Sequence, residues 1–413
     1  MSWRFANWSW LPCILVAALT ARVLAAFLVQ HWVERTEGRL CLIAGDAEGY
    51  WDLARHIVRG EDFAIYDPPR RIERMPGFPI VLAAGMRLFG ERPLPLRLLL
   101  AVVGTGACWL VYWLGCEVAD RTTGLFACGL AAVSPIMVGF SVLFLSETLF
   151  ATALLASLIA LARFVKQLKA GVAGESRRWA AVAVIAGVLC GLATLVRPTW
   201  LLVAPGLCAV VLVTTRDRRK AVWQSVLLLG GLAAALAPWT VRNALITGHF
   251  VPTTLWVGPS LYDGLSPSAT GVSDMTFIKT DGLYVGADFS EFDADRHYRR
   301  AALAFAKGHP ARVFVLAANK LARFFNPFPN ADQFSNSAIW LGVGLFELPV
   351  LALGGIGLWQ SRREGWRLLL AGGPIVYFAL VHAVFIGSVR YRLPAEYAFL
   401  TLSACGVRAL FRR

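Results

Sequence analysis

Acid, histidine and methionine are scarce in this 413-residue chain, which has 26 Asp+Glu against 40 Lys+Arg, 6 His and 5 Met. It contains no HExxH, Walker loop, GxSxG elbow or complete GxGxxG. That removes the zinc-protease, P-loop, hydrolase-elbow and dinucleotide-binding signatures. Its eight cysteines form no CxxC and no Cys/His set with zinc spacing, and all but Cys41 lie inside apolar runs. Neither a disulfide framework nor a structural metal is indicated. Charged residues amount to only 16%, against about 25% in an ordinary soluble domain. No inverted repeat of the kind many transporters carry is visible.

What the chain has in abundance is apolar side chain. Hydrophobic residues make up 57%, with 15 Trp and 25 Phe, and the mean hydropathy is +0.59. A soluble fold has no interior large enough for this, so part of the solvent must be lipid. The excess of +14 then belongs on loops beside anionic headgroups rather than on nucleic acid.

A spanning helix needs about 20 mostly apolar residues. Runs near 11–33, 94–119, 122–143, 146–168, 178–196, 198–215, 221–241, 338–359, 367–387 and 393–411 qualify, predicting an all-α polytopic membrane protein of about ten spans. The run at 76–90 is short and carries Pro79, so it reads as a re-entrant or interfacial helix. Lys and Arg collect in alternate short loops, at Arg121, at Arg163 to Arg178, at Arg216 to Lys220, at Arg362 to Arg367 and at Arg412–Arg413. The positive-inside rule then puts both termini in the cytoplasm of a multi-pass inner (plasma) membrane protein.

Three regions follow. Residues 1–242 form a membrane module with a first extracytoplasmic loop at 34–93, residues 243–337 a second extracytoplasmic loop, and 338–413 the last spans. The first loop opens with a helix at Asp46–Gly60 whose apolar face is Tyr50, Leu53, Ala54, Ile57 and Val58. The second holds an amphipathic stretch, RHYRRAALAFAKGHPARVFVLAANKLARFF, interrupted by Pro310, of the kind that lies on a membrane surface. Asp288, Glu291, Asp293 and Asp295 lack the glycine of a calcium loop and suit a solvated loop and helix cap.

Charges at span ends are expensive and therefore functional candidates. Asp46, Glu48, Arg74, Glu147, Arg197, Arg242, Arg390 and Arg392 all fall at the extracytoplasmic face of this topology. Arginine's planar fork suits phosphate oxygens, and a carboxylate beside it can take a proton from an attacking hydroxyl. Phosphates at that depth belong to lipids, and a polyprenyl-phosphate sugar fits. Each residue also has a plainer use. Asp46 suits a helix cap, Glu48 and Glu147 suit helix dipoles, and the arginines suit interfacial anchors. The Asp46-x-Glu48 spacing leaves a divalent cation open, with two carboxylates too few to identify one. Gly187 and Gly191 suit close helix packing. Arg22, inside the first span, has no evident partner.

The order GDAEGYWDLARHIVRG, RMPGFPIVLAAGMRLFG, LSETLF, LVRPTW, PWTVRNALITGHFVPTT, GPSLYDG, AFAKGHPARVFVLAANKLARF and RYRLPAEY resembles the bacterial membrane glycosyltransferases of family 39. These are relatives of protein O-mannosyltransferases and lipid-A aminoarabinose transferases, with the type-C fold. The resemblance runs from about Asp46 to the C-terminus. It implies inverting sugar transfer from a polyprenyl-phosphate donor to a lipid, glycan or protein acceptor, with Asp46 at the place of the catalytic aspartate. It places Arg390 and Arg197 among the basic residues before late spans. Related enzymes often carry adjacent acids where this chain has Asp46-Ala47-Glu48.

Asp46 is accordingly the expected general base. Arg74, Arg197, Arg242 and Arg390 are expected to hold the donor phosphate. Glu48, Glu147 and Arg392 are candidates for the same substrate site, and Tyr50 and Tyr262 for the sugar pocket. The rival readings are a secondary transporter of an anionic solute and a ligase moving a whole lipid-linked glycan.

Overall fold

The computed structural model describes residues 7–35, 41, 43, 45–170, 176–285, 289–329 and 336–411. Among them no β-strand forms, and the one ladder contact is an isolated bridge between Ile65 and Arg70. The segment 171–175, Asp288 and Arg412–Arg413 lie outside the described residues. In chain order the helices are α1 (Asn7–Glu34), α2 (Asp46–Arg59), α3 (Gly77–Phe89), α4 (Pro93–Val118), α5 (Arg121–Val133), α6 (Pro135–Phe140), α7 (Glu147–Ala170), α8 (Ser176–Val196) and α9 (Val203–Thr214). There follow α10 (Arg218–Thr247), α11 (Val257–Gly264), α12 (Phe277–Thr280), α13 (Glu291–Gly308), α14 (Pro310–Phe324), α15 (Ser337–Gln360), α16 (Gly365–Ala371), α17 (Gly373–Val384) and α18 (Val389–Leu410).

Each of the ten apolar runs is largely helical, yet the expected count of spans is not simply reproduced. Among the described residues six helices are long and apolar enough to cross a membrane, or seven if the α16–α17 pair, bent by 55°, is one span. The others depart for local reasons. The run at 122–143 breaks at Ser134–Pro135 because proline has no N–H for the helix ladder. The run at 198–215 begins as a 3₁₀ turn, Pro198–Trp200, before α9. The last run continues α18, whose first turns carry Arg390, Arg392 and Glu396. α3, at 13 residues, is too short to span, as expected for 76–90.

The break after α5 explains Arg22. Ala131 would pair with the N–H of residue 135, which is proline, so its carbonyl is left orphaned. The fully buried Arg22 reaches across from α1 and donates to Ala131 O at 3.1 Å and Ala132 O at 3.4 Å. A cation also suits the negative end of α5. A side chain at Gly104 would meet Arg22 Nε at 2.9 Å, so the guanidinium enters because α4 has no Cβ there. Arg97 does the same for the irregular stretch that follows, donating to Val142 O at 2.8 Å. Residues 141–146 are buried throughout, the condition under which non-helical backbone is tolerated in such a protein. They deliver Ser146 and Glu147 to the start of α7.

In the first loop the expected α2 face is buried at Tyr50, Leu53 and Ala54, and Gly60 closes the helix in the left-handed conformation at φ 72°. The second loop folds back onto the first. Glu291, opening α13, accepts the backbone N–H of Arg71 at 2.6 Å and of Ile72 at 3.0 Å. Leu255 N donates to Ile72 O at 2.9 Å. The amphipathic stretch is two helices, α13 and α14, because Pro310 cannot continue the first ladder. On α14 Leu316, Lys320 and Phe324 are buried while Phe314 is 75% exposed, leaving apolar surface outward as an interfacial helix does.

Candidate active site

Asp46 is the first residue of α2, following Gly45, whose φ of 80° turns the chain into the helix. Its carboxylate leaves the helix axis and bridges two guanidiniums. Oδ1 lies 2.9 Å from Arg74 Nη2 and Oδ2 lies 2.8 Å from Arg390 Nη1. Glu147, first residue of α7, takes the far side of the same arginine through Oε1 and Arg390 Nε. Glu147 Oε1 also lies 2.8 Å from Arg197 Nη2. Arg197 is placed by Pro198, which forces an extended residue before it, and its Nε donates to Ser146 Oγ at 2.9 Å. The result is an unbroken alternation: Arg74, Asp46, Arg390, Glu147, Arg197.

Tyr50, one turn after Asp46, lies on the same face. Arg74 sits over its ring at 5.0 Å and its hydroxyl donates to Ser146 Oγ at 3.4 Å. Gly49 opens the way for Arg74, since a Cβ there would lie 3.2 Å from Arg74 Nε. Tyr391 stands under Arg197 and Arg390 at 5.7 Å and 5.8 Å and stacks on His382 at 4.6 Å.

Exposure separates the two acids. The Asp46 side chain keeps 35% of its surface open, whereas that of Glu147 keeps none. Glu147 Oε2 and Arg74 Nε are buried and have no hydrogen-bond partner among the described residues, so the cluster holds unspent polar capacity. Burial pushes the Asp46 carboxyl up, but the charges of Arg74 and Arg390 and their hydrogen bonds outweigh it and hold the group well below the usual carboxylate range. In this arrangement Asp46 is ionised and heavily stabilised.

Five of the expected residues, Asp46, Arg74, Glu147, Arg197 and Arg390, therefore meet, with Tyr50 beside them. Four do not join them. Glu48 is exposed, and its Oε2 accepts Gly45 N–H at 3.2 Å, half of a capping box. Arg392 is fully buried and pairs with Glu347 at 2.9 Å and Glu396 at 2.8 Å, while donating to Phe324 O and Asn326 O. One fact of helix geometry sets both apart from the cluster: residues two apart face opposite sides, so Asp46 and Arg390 do not share their faces with Glu48 and Arg392. Arg242 ends α10 and clamps the first loop through Arg71 O at 3.1 Å and Phe63 O at 3.3 Å. Tyr262 packs against Phe277 and Tyr298 in the second loop. Sequence reasoning passed over Glu73, Ser146 and Tyr391, though each is the immediate neighbour of a residue it selected.

Three guanidiniums about two carboxylates suit an anion. Among the described residues no group of three or more His, Cys, Asp and Glu could hold a metal ion, and a divalent cation between Asp46 and Glu147 would have to displace Arg390 from between them.

The profile of the dolichyl-phosphate-mannose-protein mannosyltransferase family matches residues 72–241, less than half of the chain. No curated protein matches it in sequence. Among solved structures it is similar to the oligosaccharyltransferase AglB of Archaeoglobus fulgidus, in complex with an inhibitory peptide and a dolichol-phosphate, at TM-score 0.59 and 16% identity. That match covers 99% of this chain and 51% of that one, and the same enzyme in its apo form gives 0.57 at 17% identity. The chain thus spans about half the length of these AglB structures. A looser match, at TM-score 0.46 and 16% identity over 98% of this chain and 78% of the other, is ArnT from Cupriavidus metallidurans bound to undecaprenyl phosphate. The fold is the all-α, multi-pass type-C glycosyltransferase fold that the motif order led one to expect.

Proposed function

We propose that the protein is an inverting glycosyltransferase that moves a sugar from a polyprenyl-phosphate donor to an acceptor hydroxyl or amine at the extracytoplasmic membrane face. The observation that carries this reading is the cluster itself, in which the half-open carboxylate of Asp46 is shared between Arg74 and Arg390 and backed by Glu147 and Arg197. A lipid phosphate competes with the two carboxylates for these guanidiniums, whose planar forks bind phosphate oxygens in pairs. As Arg390 turns from Asp46 to the phosphate, the charge that keeps Asp46 weakly basic is drawn away. Donor binding thereby readies the base.

The acceptor oxygen or nitrogen then attacks the anomeric carbon from the face opposite the phosphate. Its proton passes to Asp46, and the bond between that carbon and the phosphate oxygen breaks. The electron pair leaves with the polyprenyl phosphate, where the arginines offset the charge. Configuration inverts because there is one displacement and no covalent enzyme intermediate. Membrane lipids surround the donor's tail, and the acceptor is a lipid, a glycan or a protein. The family profile's dolichyl-phosphate-mannose and the dolichol-phosphate held by AglB support a lipid-phosphate donor.

The test is made in cells. A strain lacking the protein should accumulate one polyprenyl-phosphate sugar and lose that sugar from one glycoconjugate, with both restored by the wild-type chain. Unchanged lipid-linked pools would sink the proposal. The mass of the accumulating species separates transfer of a single sugar from the ligation of a whole glycan that AglB's name suggests.

A further inference from the structure

Arg74 is not Asp46's alone. The same nitrogen, Nη2, that lies 2.9 Å from Asp46 Oδ1 lies 3.6 Å from Glu73 Oε1. Glu73 is 5% exposed, so its charge is poorly screened and competes directly for that guanidinium. Its other oxygen is fixed by Arg70 Nη1 at 2.9 Å. Arg70 in turn is boxed by rings from both loops, with Tyr66 at 4.5 Å, Tyr284 at 4.2 Å and Trp256 at 5.5 Å from its guanidinium carbon. The backbone between the two arginines is pinned by Glu291 on the N–H groups of Arg71 and Ile72 and by Arg242 on Arg71 O. Strip 70–74 is therefore a braced arm. Its root is held against the second loop by Trp256, Tyr284 and Glu291, and its tip, Arg74, rests on the carboxylate read above as the base. Burial pushes the Glu73 carboxyl up, and the neighbouring Arg74 and Arg70 pull against it.

We infer that Glu73 is a positioning residue for the transfer reaction: it shares Arg74 with Asp46, limits how firmly that arginine holds the base, and ties this balance through Arg70 to the aromatic box of the second loop. The inference rests on the reading of Asp46 as the base. With Glu73 neutral, Arg74 serves Asp46 alone, so the base weakens. The site meanwhile gains one unit of positive charge, so an anionic lipid is held at least as well. Turnover and donor binding move in opposite directions, which loss of a brace alone does not produce.

The experiment uses the full chain in nanodiscs, with farnesyl phosphate as the binding probe. The transfer substrate is the polyprenyl-phosphate sugar recovered from cells lacking the protein. Glu73→Gln is expected to bind farnesyl phosphate as tightly as wild type or more so, and to turn over about tenfold more slowly. In an Arg74→Gln background the same change is expected to cost nothing further, because residues acting through one another are non-additive. Glu73→Asp keeps the charge near Arg70 but withdraws it from Arg74. It should slow turnover while leaving farnesyl phosphate binding at the wild-type level, and it serves if Glu73→Gln does not accumulate. Parallel loss of binding and turnover, additive losses in the double variant, or unchanged turnover would each overturn the inference. Failure of the underlying reading shows separately, as full turnover by Asp46→Asn.

Discussion

Arg390 joins Asp46 to Glu147 through one guanidinium, with Nη1 2.8 Å from Asp46 Oδ2 and Nε donating to Glu147 Oε1. Three elements distant in sequence, the starts of α2, α7 and α18, are thus brought to one planar group. Lysine has a single nitrogen and cannot make both contacts in that geometry. Arg390→Lys is therefore expected to weaken binding of a polyprenyl phosphate by roughly tenfold or more, about 1.4 kcal/mol or above. Calorimetric titration in nanodiscs checks it, and wild-type affinity would return Arg390 to the role of an interfacial anchor.

The Arg392 prediction runs the other way. Its guanidinium is enclosed with Glu347 and Glu396 and caps the carbonyls of Phe324 and Asn326. Arg392→Met leaves two carboxylates buried without a counter-charge, a loss of about 3 to 5 kcal/mol when one partner of a buried pair is removed. Most of the protein should fail to fold. Neutralising the acids as well, in Arg392→Met with Glu347→Gln and Glu396→Gln, should recover folded yield. Folded but inactive Arg392→Met would show that the triad serves chemistry instead.

How far the sequence could be read is decided by such neighbours. Apolar runs were legible because each is a local property of the chain, and so was the α2 face. The breaks at Pro135 and Pro310 are just as local, yet 122–143 reads as one span and the stretch around Pro310 as one amphipathic segment. The gathering of Asp46, Arg74, Glu147, Arg197 and Arg390 was legible because span ends share one depth. Which way each side chain turns at that depth was not. Helix rotation sends Glu48 and Arg392 away from partners two residues off, and the loop fold that carries Arg242 to Arg71 O depends on contacts about 170 residues apart in sequence. Glu73 adjoins Arg74 in sequence, but only the folded strip turns its carboxylate onto that guanidinium.

Asp46 also makes a prediction about pH. Its folded-state ionisation lies below the usual range, so the stability it contributes is present above the unfolded-state value and fades as pH falls through and below it. The difference in thermal midpoint between wild type and Asp46→Asn should be constant from about pH 5 to 8 and shrink below about pH 4. Midpoints from tryptophan emission across that range check this. A difference that grows on acidification would mean Asp46 is not the ionised partner of Arg74 and Arg390.

Topology carries its own test. If both termini are cytoplasmic, single cysteines at residue 218 and at residue 268, in a chain freed of reactive native thiols, differ in access to an impermeant reagent in intact cells. Residue 268 should label and residue 218 should not. The reverse pattern would place Asp46 and its arginines at the cytoplasmic face and remove the extracytoplasmic donor.

The decisive substitution is Asp46→Asn. Asparagine has the size of aspartate and caps helices as well, so a capping role predicts a change of a few tenths of a kcal/mol. The structure already points elsewhere, because Gly45 holds the cap position and the carboxylate turns to Arg74 and Arg390. A general base predicts turnover lower by roughly 10²- to 10⁴-fold in a protein that still folds. Donor binding should persist, since removing the carboxylate frees both guanidiniums for the phosphate. A metal ligand predicts partial rescue by excess divalent cation and loss of wild-type activity with chelator. Folded yield, farnesyl phosphate affinity and transfer rate, each with and without added cation, distinguish the three. Slow transfer with intact or tighter donor binding, unmoved by cation, is the expected result. Near-normal transfer would end the assignment of Asp46 as the base.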